Sequence, residues 1–185
     1  MLDPSKTAFG DNATDITLPQ GDHCLIRQLR SEDEALLRDM FEHCNANDVY
    51  LRCFAAMKSF PENMAARLAH MNPEEEIALV ALPATGDPAI ILGVAHVILE
   101  SETALTAEFD VMVRSDQKGH GIGYALMTAL LNEARLRGFS AVTGYILQEN
   151  RAMLQMTDEL GFKVRHMVGG VAEVWIDFTE DRDAA

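Results

Sequence analysis

Hydrophobic and polar positions change their period along the chain, and each change marks an element. "HCLIRQLR" (23–30) predicts a strand. "RSEDEALLRDMFEHC" follows with helical spacing and a capping-box start, in which the Ser31 hydroxyl can serve the amide of Glu34 and the Glu34 side chain can reach back. "NDVYLRCFAA" predicts a second short helix, and "PENMAARLAHM", with Pro61 in its first turn, is a candidate third. Then the period drops to two. "EIALVAL" and "AIILGVAHVIL" are strand-like runs joined by the turn signal "PATGDP".

"TALTAEFDVMV" alternates strictly: Leu105, Ala107, Phe109, Val111 and Val113 share one face, and Thr106, Glu108, Asp110 and Met112 the other. Beyond it, Ile122, Leu126, Leu130 and Ala134 form the apolar stripe of a helix ending at Gly138. "FSAVTGYIL" predicts a strand, and "NRAMLQMTDELG" a helix with Asn150 as N-cap and Gly161 as stop. "FKVRHMV" and "VAEVWIDF", parted by Gly169-Gly170, predict a closing hairpin. The predicted order is β-α-α-β-β-β-α-β-α-β-β. Strand and helix alternate only in the second half, so the fold class is α+β or mixed-sheet rather than doubly wound.

The polar, acidic start reads as a flexible tail over residues 1–20, followed by a single domain over 21–180; the acidic end "TEDRDAA" reads as loose too. A chain of 185 residues with 48% hydrophobic content can bury one core. No run of about 18 apolar residues occurs, so no membrane-spanning helix is expected. Cys24, Cys44 and Cys53 are an odd number without CxxC spacing, which speaks against a disulfide framework or a zinc site and for a reducing, cytoplasmic setting. A net charge of −14 argues against nucleic acid as a partner. It suits a cationic partner, or simply a soluble acidic protein.

The chemistry concentrates at "VRSDQKGHGIGYALMTALL" (113–131), where Gly119, Gly121 and Gly123 precede the helix. Neither the P-loop pattern nor GxGxxG fits, the latter because its last glycine would fall at Tyr124. A helix mouth still offers unpaired amides and a positive dipole end to an anion such as a pyrophosphate. Lys118, His120 and Arg114 would add positive charge locally, and a plain flexible turn is the alternative.

"KGHGIG" (118–123) resembles the [QR]-x-x-G-x-[GA] signature of the GNAT superfamily of N-acetyltransferases, with Lys118 in the usual Gln/Arg place. "ENRAMLQMTDELGF" resembles that family's second landmark, an Asn-started helix closing on Leu-Gly-Phe. "IRQLRSEDEALLRDMF", "VYLRCF", "AEFDVMVRSDQKGHGIG" and "GYILQENRAML" together look like the acetyltransferase domain of Pat-type protein lysine acetyltransferases.

That resemblance implies a mixed central sheet flanked by helices, acetyl-CoA as cosubstrate, no metal, and an amine acceptor, with a lysine-bearing protein first, a small amine second and a non-catalytic acyl-CoA sensor third. It places the coenzyme's arm along Val111, Met112 and Val113. It places the pyrophosphate at Lys118, Gly119, His120, Gly121, Ile122, Gly123 and Tyr124. Asn150 and Met153 would meet the pantetheine, against the plainer roles of N-cap and core residue. Glu108 is the candidate base, and Asp110 on the same face ranks second: it could assist, raise the Glu108 pKa by like-charge repulsion or bind the cationic acceptor. Glu108 lies about 17 Å before Val113 at strand rise, comparable with an extended pantetheine arm. A solvated Glu108 is the alternative. Where many relatives carry a tyrosine acid, this chain has Thr157. Tyr50 and Arg52 are expected in core or surface roles rather than on substrate, and a monomer or a homodimer is expected.

Overall fold

The computed structural model describes residues 2–3, 5–9, 13–85, 90–101, 103, 105–166 and 169–179. In chain order the elements are β1 (Thr14–Thr17), β2 (His23–Gln28), α1 (Glu34–Glu42), α2 (Ala46–Cys53), α3 (Met64–Ala69), β3 (Glu76–Pro83), β4 (Gly93–Ser101), β5 (Thr106–Val113), α4 (Ile122–Arg137), β6 (Ala141–Leu147), α5 (Arg151–Glu159), β7 (Lys163–His166) and β8 (Val171–Asp177). The strands form one mixed sheet in the order β1-β2-β3-β4-β5-β6-β8-β7. Every neighbouring pair is antiparallel except β5 and β6.

The alternation read from β5 is the alternation of the sheet. Ala107 and Phe109 are buried against α4, whose stripe of Ile122, Leu126, Leu130 and Ala134 is buried too. Met112 faces the other way, into a second core with Leu37, Met40, Val49 and Leu68 from the three short helices. Each face of the sheet therefore has its own helical cover, as the α+β reading requires.

Several expectations change. The segment read as a flexible tail contains β1, paired with β2 from Thr14↔Ile26 to Thr17↔His23. Phe9 and Leu18 are buried, and the Ala8 amide donates to the fully buried Glu133 at 2.8 Å. Polar composition hid these anchors, because two apolar side chains and one strand suffice to dock a short arm. The capping box also differs. The residue that reaches back is Asp33, which accepts from the Arg30 amide at 2.9 Å and from the Arg27 guanidinium at 2.6 and 2.8 Å. Arg27 is buried on β2, and a buried cation demands a carboxylate within reach. The third helix begins at Met64, with Pro61 ahead of its first turn rather than inside it.

Both glycine stops hold. Gly138 and Gly161 have φ of 96° and 86°, and the amides of Gly161 and Phe162 return to Asp158 and Thr157 in a Schellman closure. Gly169 and Gly170, both at positive φ, lead into β8. The second half of "PATGDP" and the acidic end from Glu180 onward lie outside the described residues.

Candidate active site

β5 and β6 run parallel in register only at Thr106↔Ala141, Ala107↔Val142 and Glu108↔Thr143. Past Glu108 the ladder stops and the strands part. On the core side the Phe109 ring lies where a side chain on Gly144 would have to go, so the opening is built around a glycine. The parted strands open a cleft of about 560 Å³, lined at one end by Glu108 and Asp110 and at the other by Gly119, Gly121 and Gly123. Val111, Met112 and Val113 form one wall, and Asn150 and Met153 the wall opposite. Backbone groups of a strand that has lost its neighbour need other partners. An extended amide-bearing chain laid between β5 and β6 would supply them.

The mouth of α4 closes the far end. Gly121 caps the helix at φ 87°, and no side chain caps it. The first amide to pair within the helix is Ala125, which donates to the Gly121 carbonyl at 3.0 Å. The N–H groups of Ile122, Gly123 and Tyr124 precede that bond, which is the arrangement that binds anions at helix mouths. Any Cβ at Gly121 would also stand 2.5 Å from Pro19. The expected cations contribute less than their positions suggest. Lys118 lines the cleft but holds Asp48 at 2.5 Å. Arg114 is buried between Asp116 and Asp39. His120 turns into a neighbouring hollow beside His23 and Arg114. What this helix mouth offers an anion is peptide amides more than free side-chain charge.

At the near end, burial first and the charge of Glu100 second hold the Glu108 carboxyl above the ordinary carboxylate range, with Asp110 adding to the rise and Arg52 and His96 opposing it. Two residues on, Asp110 moves the other way. Burial penalises its charge, yet the His96 hydrogen bond and the Arg52 cation more than offset that and hold it below its usual value. Asp110 receives Arg52 in a close ion pair and faces His96 Nδ1 at 3.5 Å. His96 Nε2 meets Glu76 at 2.6 Å, and Arg67 meets Glu76 at 3.1 Å. A charged row thus crosses the sheet from α3 to α2. Asp110, expected to assist Glu108, to raise its pKa or to bind the cationic acceptor, pairs with Arg52 and His96 in that row and adds to the rise at Glu108.

The structure brings the expected site residues together in one cleft, apart from His120 and Arg114. Asn150 acts as the N-cap of α5, accepting from the Met153 amide at 3.2 Å, and also lines the cleft. Met153 packs partly against the core. Thr157 is fully buried and donates to the Leu154 carbonyl at 3.0 Å, so no acid for a leaving thiolate comes from that position. Arg52 lines the cleft, and Tyr50 faces Glu149 of the loop before α5, whose carboxylate raises the pKa of its hydroxyl. Sequence reading missed Asp48, His96 and Tyr145. Tyr145 lies on β6 two residues beyond Thr143 and lines the cleft, a position that alternation along β6 could have revealed. Nothing in the sequence pairs Asp48 with Lys118.

Among the described residues no cluster of His, Cys, Asp or Glu is placed to hold a metal, and no helix is long and apolar enough to cross a membrane. Residues 39–162 match the model of the acetyltransferase (GNAT) family. The chain belongs to that family. It is 34% identical over 77 residues to the L-methionine sulfoximine/L-methionine sulfone acetyltransferase of Pseudomonas aeruginosa, a match covering 40% of this chain and 45% of that protein. The chain thus spans about half the length of that curated relative. An acetyltransferase of the same organism is 27% identical over 146 residues, 79% of this chain and 78% of its own. Among solved structures, the GNAT domain of S. lividans PAT superposes with a TM-score of 0.81 at 20% identity, over 90% of this chain and 97% of that one. The mixed eight-stranded sheet flanked by helices is thus a GNAT fold.

Proposed function

We propose that this GNAT domain transfers acetyl from acetyl-CoA to a primary amine by direct attack, with Glu108 as general base and a lysine side chain of a protein as acceptor. The observation that carries the proposal is the β5–β6 split, which leads from the amides at the mouth of α4 to the Glu108 carboxylate within one cleft. A lysine ammonium, with an ordinary pKa of about 10.4, arrives charged at neutral pH. Glu108 takes one proton and frees the nitrogen lone pair. The nitrogen then bonds the thioester carbonyl carbon, the C–S bond breaks, and the sulfur leaves with its electron pair. The second N–H proton is lost as the amide forms, and one proton ends on the CoA thiol. A base held above the ordinary carboxylate range is better matched to this task than a solvated glutamate.

Charge favours a lysine over an α-amino acid. The cations that line the cleft already hold carboxylates, Arg52 with Asp110 and Lys118 with Asp48. Glu108 adds negative charge where the acceptor must enter, so an ammonium is welcome and an adjacent carboxylate is not. An α-amino acid is the second reading. It is favoured by the name of the relative above and by Arg52 Nε, a buried donor with no hydrogen-bond partner among the described residues. Steady-state rates with acetyl-CoA against lysine peptides, polyamines and free amino acids separate the two. Lysine peptides are expected to show the highest kcat/KM; methionine sulfone outpacing them would overturn the lysine reading.

A further inference from the structure

The sheet does not end at the cleft. Because residues in register on neighbouring strands point to the same side, the face that carries Glu108 continues across β6, β8 and β7. One row runs Glu108, Thr143, Trp175, Lys163, and the next carries Tyr145, Glu173 and Arg165, with Leu147 and Val171 beyond. The row extends about 14 Å, three strand spacings, from the base. The opposite face of these strands is core, through Val142, Ile146, Ala172 and Val174. Tyr145, Leu147, Val171 and Trp175 belong to neither core; Tyr145 is 38% exposed and the other three are half-buried.

Charge on this face has one dominant sign near the cleft. Glu100, Glu173 and Glu108 all act on the Tyr145 hydroxyl, and Glu100 also accepts from Thr143 at 3.0 Å. Arg165 answers Glu173 in a close ion pair further out. An aromatic and aliphatic platform, acidic where it meets the base, fits a polypeptide that brings an ammonium group into the cleft while its flanking residues lie on the sheet. A free amine has nothing to place there.

We propose that the β6–β8–β7 face, centred on Trp175, is the docking surface for the lysine-bearing acceptor protein. This rests on the lysine reading above and adds the partner's seat to it. Trp175 supplies the kind of large, rigid contact that dominates protein interfaces. The face also separates substrates by size: a polypeptide uses it, and a free lysine derivative does not.

The test compares two probes with labelled acetyl-CoA: a mixture of soluble cell proteins, read as the rate of protein-bound label, and Nα-acetyl-lysine methyl ester. Loss of an aromatic anchor in Trp175→Ser is expected to lower the protein rate at least about tenfold. The rate on the ester should stay within about twofold, as for a surface substitution away from the chemistry. Trp175→Phe should recover most of the protein rate. An unchanged protein rate, or an equal fall on both probes, would overturn the docking surface. Label on the ester but on no protein from the unsubstituted enzyme would overturn both the docking surface and the lysine-protein reading while acetyl transfer stands. Label on neither would sink acetyl transfer itself. A dimer by sedimentation that Trp175→Ser dissolves would show that a second copy occupies the face, and would overturn the proposal as well.

Discussion

The two ends of the cleft work by different physics. The glycine end presents backbone amides and keeps side chains away; Gly121 combines a φ of 87° with a neighbour, Pro19, that leaves no room for a Cβ. At the base end the backbone is an ordinary strand, and everything depends on which side chains surround which carboxylate. Glu108 and Asp110 sit two residues apart on one face of β5, and their pKa values move in opposite directions. Asp110 is fixed by Arg52 and His96, while Glu108 has burial and two carboxylates, Glu100 and Asp110, against it. The first end is a shape and the second is a field. Substitutions can separate them.

The largest expected effect is at the base. Glu108→Gln should lower turnover by about 10²–10⁴ with little change in CoA affinity, measured by steady-state rates and calorimetric titration. The acid limb of kcat/KM in the unsubstituted enzyme should lie above pH 4.5, the ordinary value for the group, and should disappear in the variant. The same substitution should leave the fold slightly more stable at neutral pH. A group whose folded pKa is raised contributes stability below its ordinary pKa and loses it as pH rises through the folded value, so the glutamate is a burden there and the glutamine is not. Unchanged turnover would remove Glu108 from its role.

At the other end the effect falls on binding. Gly121→Ala should weaken CoA binding about tenfold, because both the strained φ and the Pro19 contact force the helix mouth to move. Gly123→Ala, where a Cβ would meet Val113 at an ordinary 3.6 Å, should leave binding within about twofold. Equal losses at both positions would argue against the amide cradle.

Asp110→Asn should cost about 1–3 kcal/mol of stability at neutral pH, by leaving Arg52 and His96 without their shared carboxylate. That deficit should shrink as pH falls below 3.8, since a carboxylate with a lowered pKa loses its contribution as it is protonated. Denaturant melts across that range would show it. Lys118→Ala should be the mildest, shifting CoA affinity by about threefold or less, because the ammonium is held by Asp48.

The same contrast explains what the sequence revealed. Glycines at a helix mouth and the alternation of β5 are local patterns, so the glycine-lined helix mouth, the strand face of Glu108 and the helix stops at Gly138 and Gly161 could all be read from the letters. The environment of each carboxylate is assembled from distant segments, with Arg52 from α2, His96 from β4 and Glu76 from β3. No local spacing encodes that convergence, so the ion-pair partners of Asp110 and Lys118 could not be read from the sequence. β1 was missed for a related reason: four residues with a single apolar member, Ile16, are recruited by pairing with β2 rather than by their own period.

A crystal structure with coenzyme A bound tests the central claim most directly. The diphosphate should lie on the amides of Ile122, Gly123 and Tyr124, with the pantetheine arm between β5 and β6 and its sulfur on the Glu108 side of the cleft. A diphosphate lodged away from those amides, or an arm outside the split, would contradict it.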